Sequence, residues 1–206
     1  PTGTEPELGT KYCLNALIDA CRWDITSRRG TFPEEGLAID IHEFDYQALN
    51  EVIYDRNGVV VRSWPAVHLL DGPVSFSLEW NGMKLVYGGD TFPNKWFLEY
   101  AKDADVAIHE CFITVDDLQS KAGFPREFAI TVGTQIHTSP GAFASVMKAI
   151  EPRMAIAFHF FNDMGTASGI YKEILNIYDG PVTLAKDLMV WNITPENITT
   201  RQLVNT

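Results

Sequence analysis

Val86-Tyr87-Gly88-Gly89-Asp90-Thr91 is the stretch on which the reading of the whole chain turns. The apolar run Met83 to Tyr87 reads as a strand that meets two glycines and then delivers one carboxylate, Asp90, where the chain must turn. Two residues without a Cβ let backbone or a ligand come close at that point. Asp90 could serve equally as the cap of a helix starting near Asn94. Its company points to chemistry: His68 precedes it, His159 follows it, and each stands where an apolar strand gives out. Three metal-competent side chains at three strand ends predict one site assembled across the edge of a sheet.

Upstream of this stretch lies a meander: Val52 to Tyr54, a turn at Arg56-Asn57-Gly58, Val59 to Val67, a loop at Leu69 to Gly72, Val74 to Trp80, and a tight turn at Asn81-Gly82. Each Asn-Gly pair supplies the positive φ angles that two-residue hairpins need, so this part is antiparallel sheet. Downstream the pattern changes to helices alternating with short apolar strands: Asn94 to Lys102, Val106 to Ile108, Pro140 to Ile150, Met154 to Phe158, Ser168 to Tyr178 and Val182 to Leu184. A last pair, Met189 to Ile193 and Ile198 to Val204, closes the chain. A meander followed by strand-helix alternation predicts a layered α/β sandwich with helices covering sheets.

Nearer the start, Leu14, Leu17, Ile18 and Cys21 recur at the spacing of one buried helix face after Thr10, and Cys13 and Cys21 read as small packed hydrophobes. Leu37, Ile39 and Ile41 alternate as a half-buried strand running to Phe44, with His42 on its polar phase and therefore at the surface.

With 206 residues, 46% of them hydrophobic, the chain is long enough for a sizeable core, and without a linker-like segment residues 1–206 read as one unit. A formal net charge of −11 repels phosphate backbones, and Arg28-Arg29, the only basic cluster, reads as a solvated loop. Three cysteines without a CxxC pair argue against a disulfide framework or a cysteine zinc knot. No run of about 18 apolar residues is present to span a membrane as a helix. The chain opens on Pro1 rather than methionine, so the sequence leaves its compartment open.

Two more residues complete the candidate set. His109-Glu110 closes the strand Val106 to Ile108, and His137 precedes the helix whose apolar face is Phe143, Val146, Met147 and Ile150. A carboxylate that holds an imidazole favours its protonated form, so a Glu110–His137 pair would make a proton donor. The alternative is a solvent-facing acid and a histidine that merely precedes an N-cap.

Gly-Gly-Asp-Thr at a strand end, Ala-Asp-Val-Ala-Ile-His-Glu, Ile-His-Thr-Ser-Pro and Ala-Phe-His-Phe-Phe-Asn-Asp, in that order, resemble the C-terminal half of the metallo-β-lactamase superfamily. Within it the chain looks most like the tRNase Z and arylsulfatase-type branch, above all tRNase Z-like metallo-β-lactamases. Those share runs close to His42-Glu43-Phe44-Asp45-Tyr46, Asp71-Gly72-Pro73-Val74-Ser75-Phe76 and Met189-Val190-Trp191-Asn192-Ile193-Thr194. The resemblance implies a four-layer αββα sandwich with a two-zinc site at one edge of its sheets. By position, His68 would bind the first zinc, His159 the second, and Asp90 would bridge them. A zinc-acidified water would be the nucleophile, and His137, positioned by Glu110, would assist the leaving group.

The family's main zinc motif, His-x-His-x-Asp-His, is not found among the five histidines, His42, His68, His109, His137 and His159. The expectation is therefore that the chain is the C-terminal part of the domain. An N-terminal segment or a second chain would complete it, and the family likeness suggests a homo-oligomer. A tRNA-processing member carries a basic, glycine-rich arm between the motifs of His68 and Asp90, and the 22 positions here leave room for one hairpin only.

With the acidic charge, this makes a nucleic-acid substrate the weaker expectation. Trp64, Phe76, Phe92, Trp96, Phe112, Phe160 and Phe161 fall near strand ends and suggest a partly apolar pocket for a small molecule, though core packing explains most of them equally. The resulting expectation is a zinc hydrolase of a small amide or ester, β-lactam ring opening being the named case. The alternatives are a phosphodiesterase, and a non-catalytic fragment or subunit with an incomplete metal site.

Overall fold

A computed structural model describes residues 6–37 and 39–202. Two compact units divide the chain, residues 1–47 and residues 48–206. Every candidate metal or catalytic residue lies in the second.

In the first unit α1 (Thr10–Ala20) and α2 (Arg22–Ser27) follow one another directly, and neither holds a buried residue. The helix expected after Thr10 exists, but its expected buried face does not. Leu17 is 59% exposed, Leu14 and Ile18 are only partly covered, and Cys13 and Cys21 are exposed rather than packed. Helical spacing shows which residues share a face, but burial needs a second surface against that face. The strand expected over Leu37 to Phe44 is also absent, since residues 39–44 carry no regular structure. An alternating run becomes a strand only where another strand pairs with it. His42 is at the surface, with its Nε2–H donating to Asp40 Oδ2 at 2.8 Å.

The second unit is built on one seven-stranded sheet whose spatial order follows the sequence. Its strands are β1 (Glu51–Arg56), β2 (Val59–Pro65), β3 (Val74–Trp80), β4 (Met83–Tyr87), β5 (Val106–Glu110), β6 (Met154–Phe158) and β7 (Val182–Leu184). β1 to β4 pair antiparallel, with positive-φ Asn57-Gly58 and Asn81-Gly82 at two of the turns, as the Asn-Gly pairs predicted. From β4 onward the pairing is parallel, through crossovers that carry α3 (Lys95–Tyr100), α6 (Pro140–Ile150) and α7 (Met164–Leu175). A hairpin of β8 (Met189–Ile193) and β9 (Ile198–Gln202) forms a separate two-stranded sheet. The mixed α/β architecture expected from the sequence is thus present. Among the described residues no helix is long and apolar enough to cross a membrane.

Strand alternation decides the core. Trp64, Val86, Ala107, Ala155 and Ala157 belong to one cluster with Phe97 of α3 and Ala101 just after it, Phe143, Met147 and Ile150 of α6, and Ile170 and Ile174 of α7. Alanines on β5 and β6 leave room for the helices above them. The opposite face keeps apolar side chains partly exposed, including Leu78, Trp80 and Tyr87.

Two helices between β5 and α6 were not foreseen: α4 (Val115–Ala122) and α5 (Arg126–Thr131), continued by a π-helical turn over Val132–Ile136. Their signals are local. Thr114 caps α4 by accepting from the Asp117 N–H, and Gly123 ends it in the left-handed conformation, φ +71°.

Candidate metal centre

β2 is antiparallel to β3 and β3 to β4, so β2 runs parallel to β4, β5 and β6, and all four end at one edge of the sheet. That edge receives His68 after β2, Asp90 after β4, Glu110 as the last residue of β5, and His159 directly after β6. His137 comes to the same place from the segment before α6. Residues 20 to 91 positions apart in sequence meet because parallel strands deliver their C-terminal ends together.

Asp90 does not cap a helix. Asn94 caps α3, its side chain accepting from the Phe97 N–H at 2.9 Å. Gly89, at φ +68°, turns the chain, and Gly88 is confined for a different reason. A Cβ there would lie 3.0 Å from the buried His109 ring, which would have to shift by a few tenths of an ångström to make room. Ser75 Oγ–H anchors the Gly88 carbonyl at 2.8 Å and the Gly88 N–H bonds to Ile108 O at 2.8 Å, so the turn is held from both neighbouring strands. The His68 segment is tied to it by Val67 N–H to Thr91 Oγ1 at 2.9 Å and Phe92 N–H to Val67 O at 2.7 Å.

The side chains converge. Ligating atoms of His68, Asp90 and His137 all lie within 4.8 Å of one another. His159 joins through Asp90, its Nδ1 lying 2.9 Å from Oδ1, so Asp90 belongs to both groupings. His137 Nδ1–H donates to Glu110 Oε2 at 2.9 Å, which leaves Nε2 as the nitrogen free for other work. Glu110 is fully buried, and its other oxygen accepts from the Thr91 N–H. Thr138 Oγ1–H to Thr91 O at 2.6 Å fastens the His137 segment to the Asp90 turn.

The two threonines, which the sequence reading passed over, stand beside the motif residues in Gly-Asp-Thr and His-Thr-Ser-Pro. Phe112 stacks on His137 at 4.3 Å and 18°, and lies 5.2 Å from His159, so one ring limits both imidazoles. His159 itself sits at φ +73°, an unusual conformation for a side-chain-bearing residue and one that re-aims it as β6 ends.

Two features fit a divalent cation. His68 Nε2 is buried without a hydrogen-bond partner, an expensive arrangement for a polar atom unless something is to be held there. Neither Asp90 nor Glu110 is ion-paired with a lysine or arginine among the described residues; their charged partners are imidazoles. His109, one residue before Glu110, faces the other way. It is fully buried against Phe97, with its Nδ1–H on the Glu110 carbonyl at 2.7 Å, and burial lowers its pKa to about 4. It is a neutral core residue.

No protein-family model matches the chain, and no curated protein sequence does. Solved structures do. The metallo-β-lactamase fold protein YhfI from Bacillus subtilis superposes with a TM-score of 0.52 at 16% identity, over 69% of this chain and 52% of its own. Zn(2+)-bound PqqB from Methylobacterium extorquens gives 0.46 at 16% identity, over 68% and 49%. Human tRNase Z, short form, gives 0.44 at 19% identity, over 66% and 42%. The chain spans about half the length of YhfI. With its sheet order and the YhfI superposition taken together, this chain has the metallo-β-lactamase fold.

Proposed function

We propose that the chain is part of a metal-dependent hydrolase acting on a small amide or ester, with β-lactam ring opening as the named case. The observation that carries this reading is the convergence of His68, Asp90 and His137, whose ligating atoms lie within 4.8 Å of one another, at a histidine, His68, whose Nε2 is buried and unpartnered. Zinc suits the imidazole and carboxylate donors. His68 and Asp90 would hold one ion, and His159 a second that shares Asp90. Bound there, zinc supplies Lewis acidity and lowers the pKa of water from about 15.7 toward roughly 7.

The remaining steps belong to the chain. Glu110, buried and held by the Thr91 N–H, fixes the His137 ring through Nδ1 and leaves Nε2 to hand a proton to the leaving group. Phe112 keeps water off that ring. His159 Nδ1, 2.9 Å from one carboxylate oxygen of Asp90, biases that oxygen's orientation by its charge when protonated. Two full zinc shells need donors beyond His68, Asp90 and His159, and an additional segment or second chain would supply them in a homo-oligomeric assembly. The acidic balance of the chain favours a small molecule over nucleic acid as substrate.

Zinc content by mass spectrometry, with turnover of nitrocefin and of bis(4-nitrophenyl) phosphate, tests the proposal. Zinc should bind the wild type and be lost from His68→Ala and Asp90→Ala. Retention of both zinc and turnover by Asp90→Ala would remove Asp90 from the site, and faster phosphodiester cleavage would favour the phosphodiesterase.

A second reading rests on His137 standing within ligand distance of His68 and Asp90, which also suits a third ligand backed by Glu110. His137→Gln separates the two. A ligand loses zinc; a proton donor keeps it and loses rate chiefly on substrates with poor leaving groups.

A further inference from the structure

A recess of about 290 Å³ opens beside His159, lined by Phe112, Ile113, Phe160 and Phe161. We propose that it seats a flat, uncharged apolar group of the substrate, so that the bond attacked belongs to an aryl-bearing ester or amide. This rests on the hydrolase reading and adds the substrate class to it.

Position comes first. His159 Nδ1 lies 2.9 Å from Asp90 Oδ1, and Phe112 stacks on His137, so the recess shares two of its walls with the candidate centre. A group lodged there is joined to its reacting bond by a few atoms at most. The volume lies at the low end of small-molecule pockets, which suits one ring and not a polymer.

Charge comes second. His159 is the only polar residue among the described lining, and no lysine or arginine contributes. The nearest cation on the adjoining helix, Lys121 of α4, is already committed: its Nζ lies 2.7 Å from Asp163 Oδ1 and 3.4 Å from Asp117 Oδ1. A phosphodiester would bring a negative charge beside Asp90 and Glu110 with no fixed cation from this wall to meet it. An aryl group meets a surface that gains from losing water.

Rigidity comes third. Ile113 is buried with Leu118, Ala129 and Val132 under α4 and α5, and Phe160 packs against the same cluster. The Lys121–Asp163 pair fastens the loop after Phe161 to α4. The rear wall is therefore formed before any ligand arrives, while Phe161, 46% exposed, forms the lip.

The test uses the full chain without added metal and ¹⁹F NMR of 4-fluorobenzyl alcohol, a neutral single-ring probe, with dimethyl phosphate as the anionic competitor. The alcohol should broaden saturably in the millimolar range and shift the His159 ring signals, while dimethyl phosphate leaves both unchanged. Phe161→Ala should weaken binding about tenfold, as loss of apolar pocket contact does, and Phe161→Glu should weaken it further. Circular dichroism confirms that each variant is folded, as expected for a half-exposed side chain. Failure to saturate, affinity unchanged in both variants, or displacement of the alcohol by dimethyl phosphate would each overturn the proposal. Zinc-dependent hydrolysis without probe binding would overturn the recess alone, whereas probe binding without hydrolysis by the zinc-loaded assembly, completed by its further segment or second chain, would overturn the hydrolase reading and leave the recess standing.

Discussion

β4, β5 and β6 begin among charges that cancel and end among charges that do not. At their starts Asp105 takes the Lys84 N–H at 2.8 Å and Arg153 Nη1 at 2.6 Å, and Arg153 also reaches Thr194 O at 2.9 Å. Burial alone would raise the Asp105 pKa, but Arg153 and the Lys84 N–H outweigh it and hold it below the ordinary carboxylate range. At their ends Asp90 and Glu110 pair with imidazoles, and the backbone contributes the Thr91 N–H to Glu110. A carboxylate met by a guanidinium is finished as glue. One met by an imidazole can still accept a cation, so the same three strands carry stability at one edge and a site at the other.

The largest expected effect breaks the receptive edge. Asp90→Ala should cut hydrolysis on the order of a thousandfold, and zinc should raise the melting temperature of the wild type but not of the variant. Equal zinc stabilisation of both would mean the ion sits elsewhere. Next comes His109, which shares β5 with Glu110 but lies on its core face. Its folded pKa of about 4 lies below the unfolded 6.5, so the unfolded chain binds the extra proton between those values. Its contribution is therefore complete above about pH 6.5 and fades as pH falls toward 4, by about 3 kcal/mol in all. Urea midpoints between pH 7 and 4 should change less in His109→Phe than in wild type, and parallel curves would show that His109 accepts a proton in the fold.

A smaller effect is expected at Glu110. Glu110→Gln keeps the shape but not the charge holding His137, and activity should fall about 10- to 100-fold with zinc retained. Loss of zinc instead would place His137 among the ligands. The smallest change belongs to the cancelled edge. Arg153→Met should cost about 1.5 kcal/mol of stability, the worth of a hydrogen bond to a charged group, with turnover per folded molecule unchanged. A selective loss of turnover would dissolve the distinction between the two edges.

How legible this was depended on what each pattern requires. The strands β3, β6, β7 and β8 and helix α6 stand where the sequence put them, because a period of two or 3.6 together with an Asn-Gly turn or Ser-Pro cap is a local statement. The strand expected over Leu37 to Phe44 and the buried face of α1 failed because both needed a partner surface that no local pattern guarantees. α4 and α5 were missed although Thr114 and Gly123 mark their boundary, since their amphipathic stretch is short and polar.

For the site, the sequence alone named His68, Asp90, Glu110, His137 and His159 and tied all but His137, which it placed before a helix, to strand ends, because residue type and strand termination are both written locally. Only the tertiary structure decided that His137 stands as near to His68 and Asp90 as any ligand would, that Phe112 spans two imidazoles, and that no arginine among the described residues neutralises the acids. Those are distances between residues far apart in the chain. They follow from the order and direction of strands in the sheet, and no stretch of sequence carries them by itself.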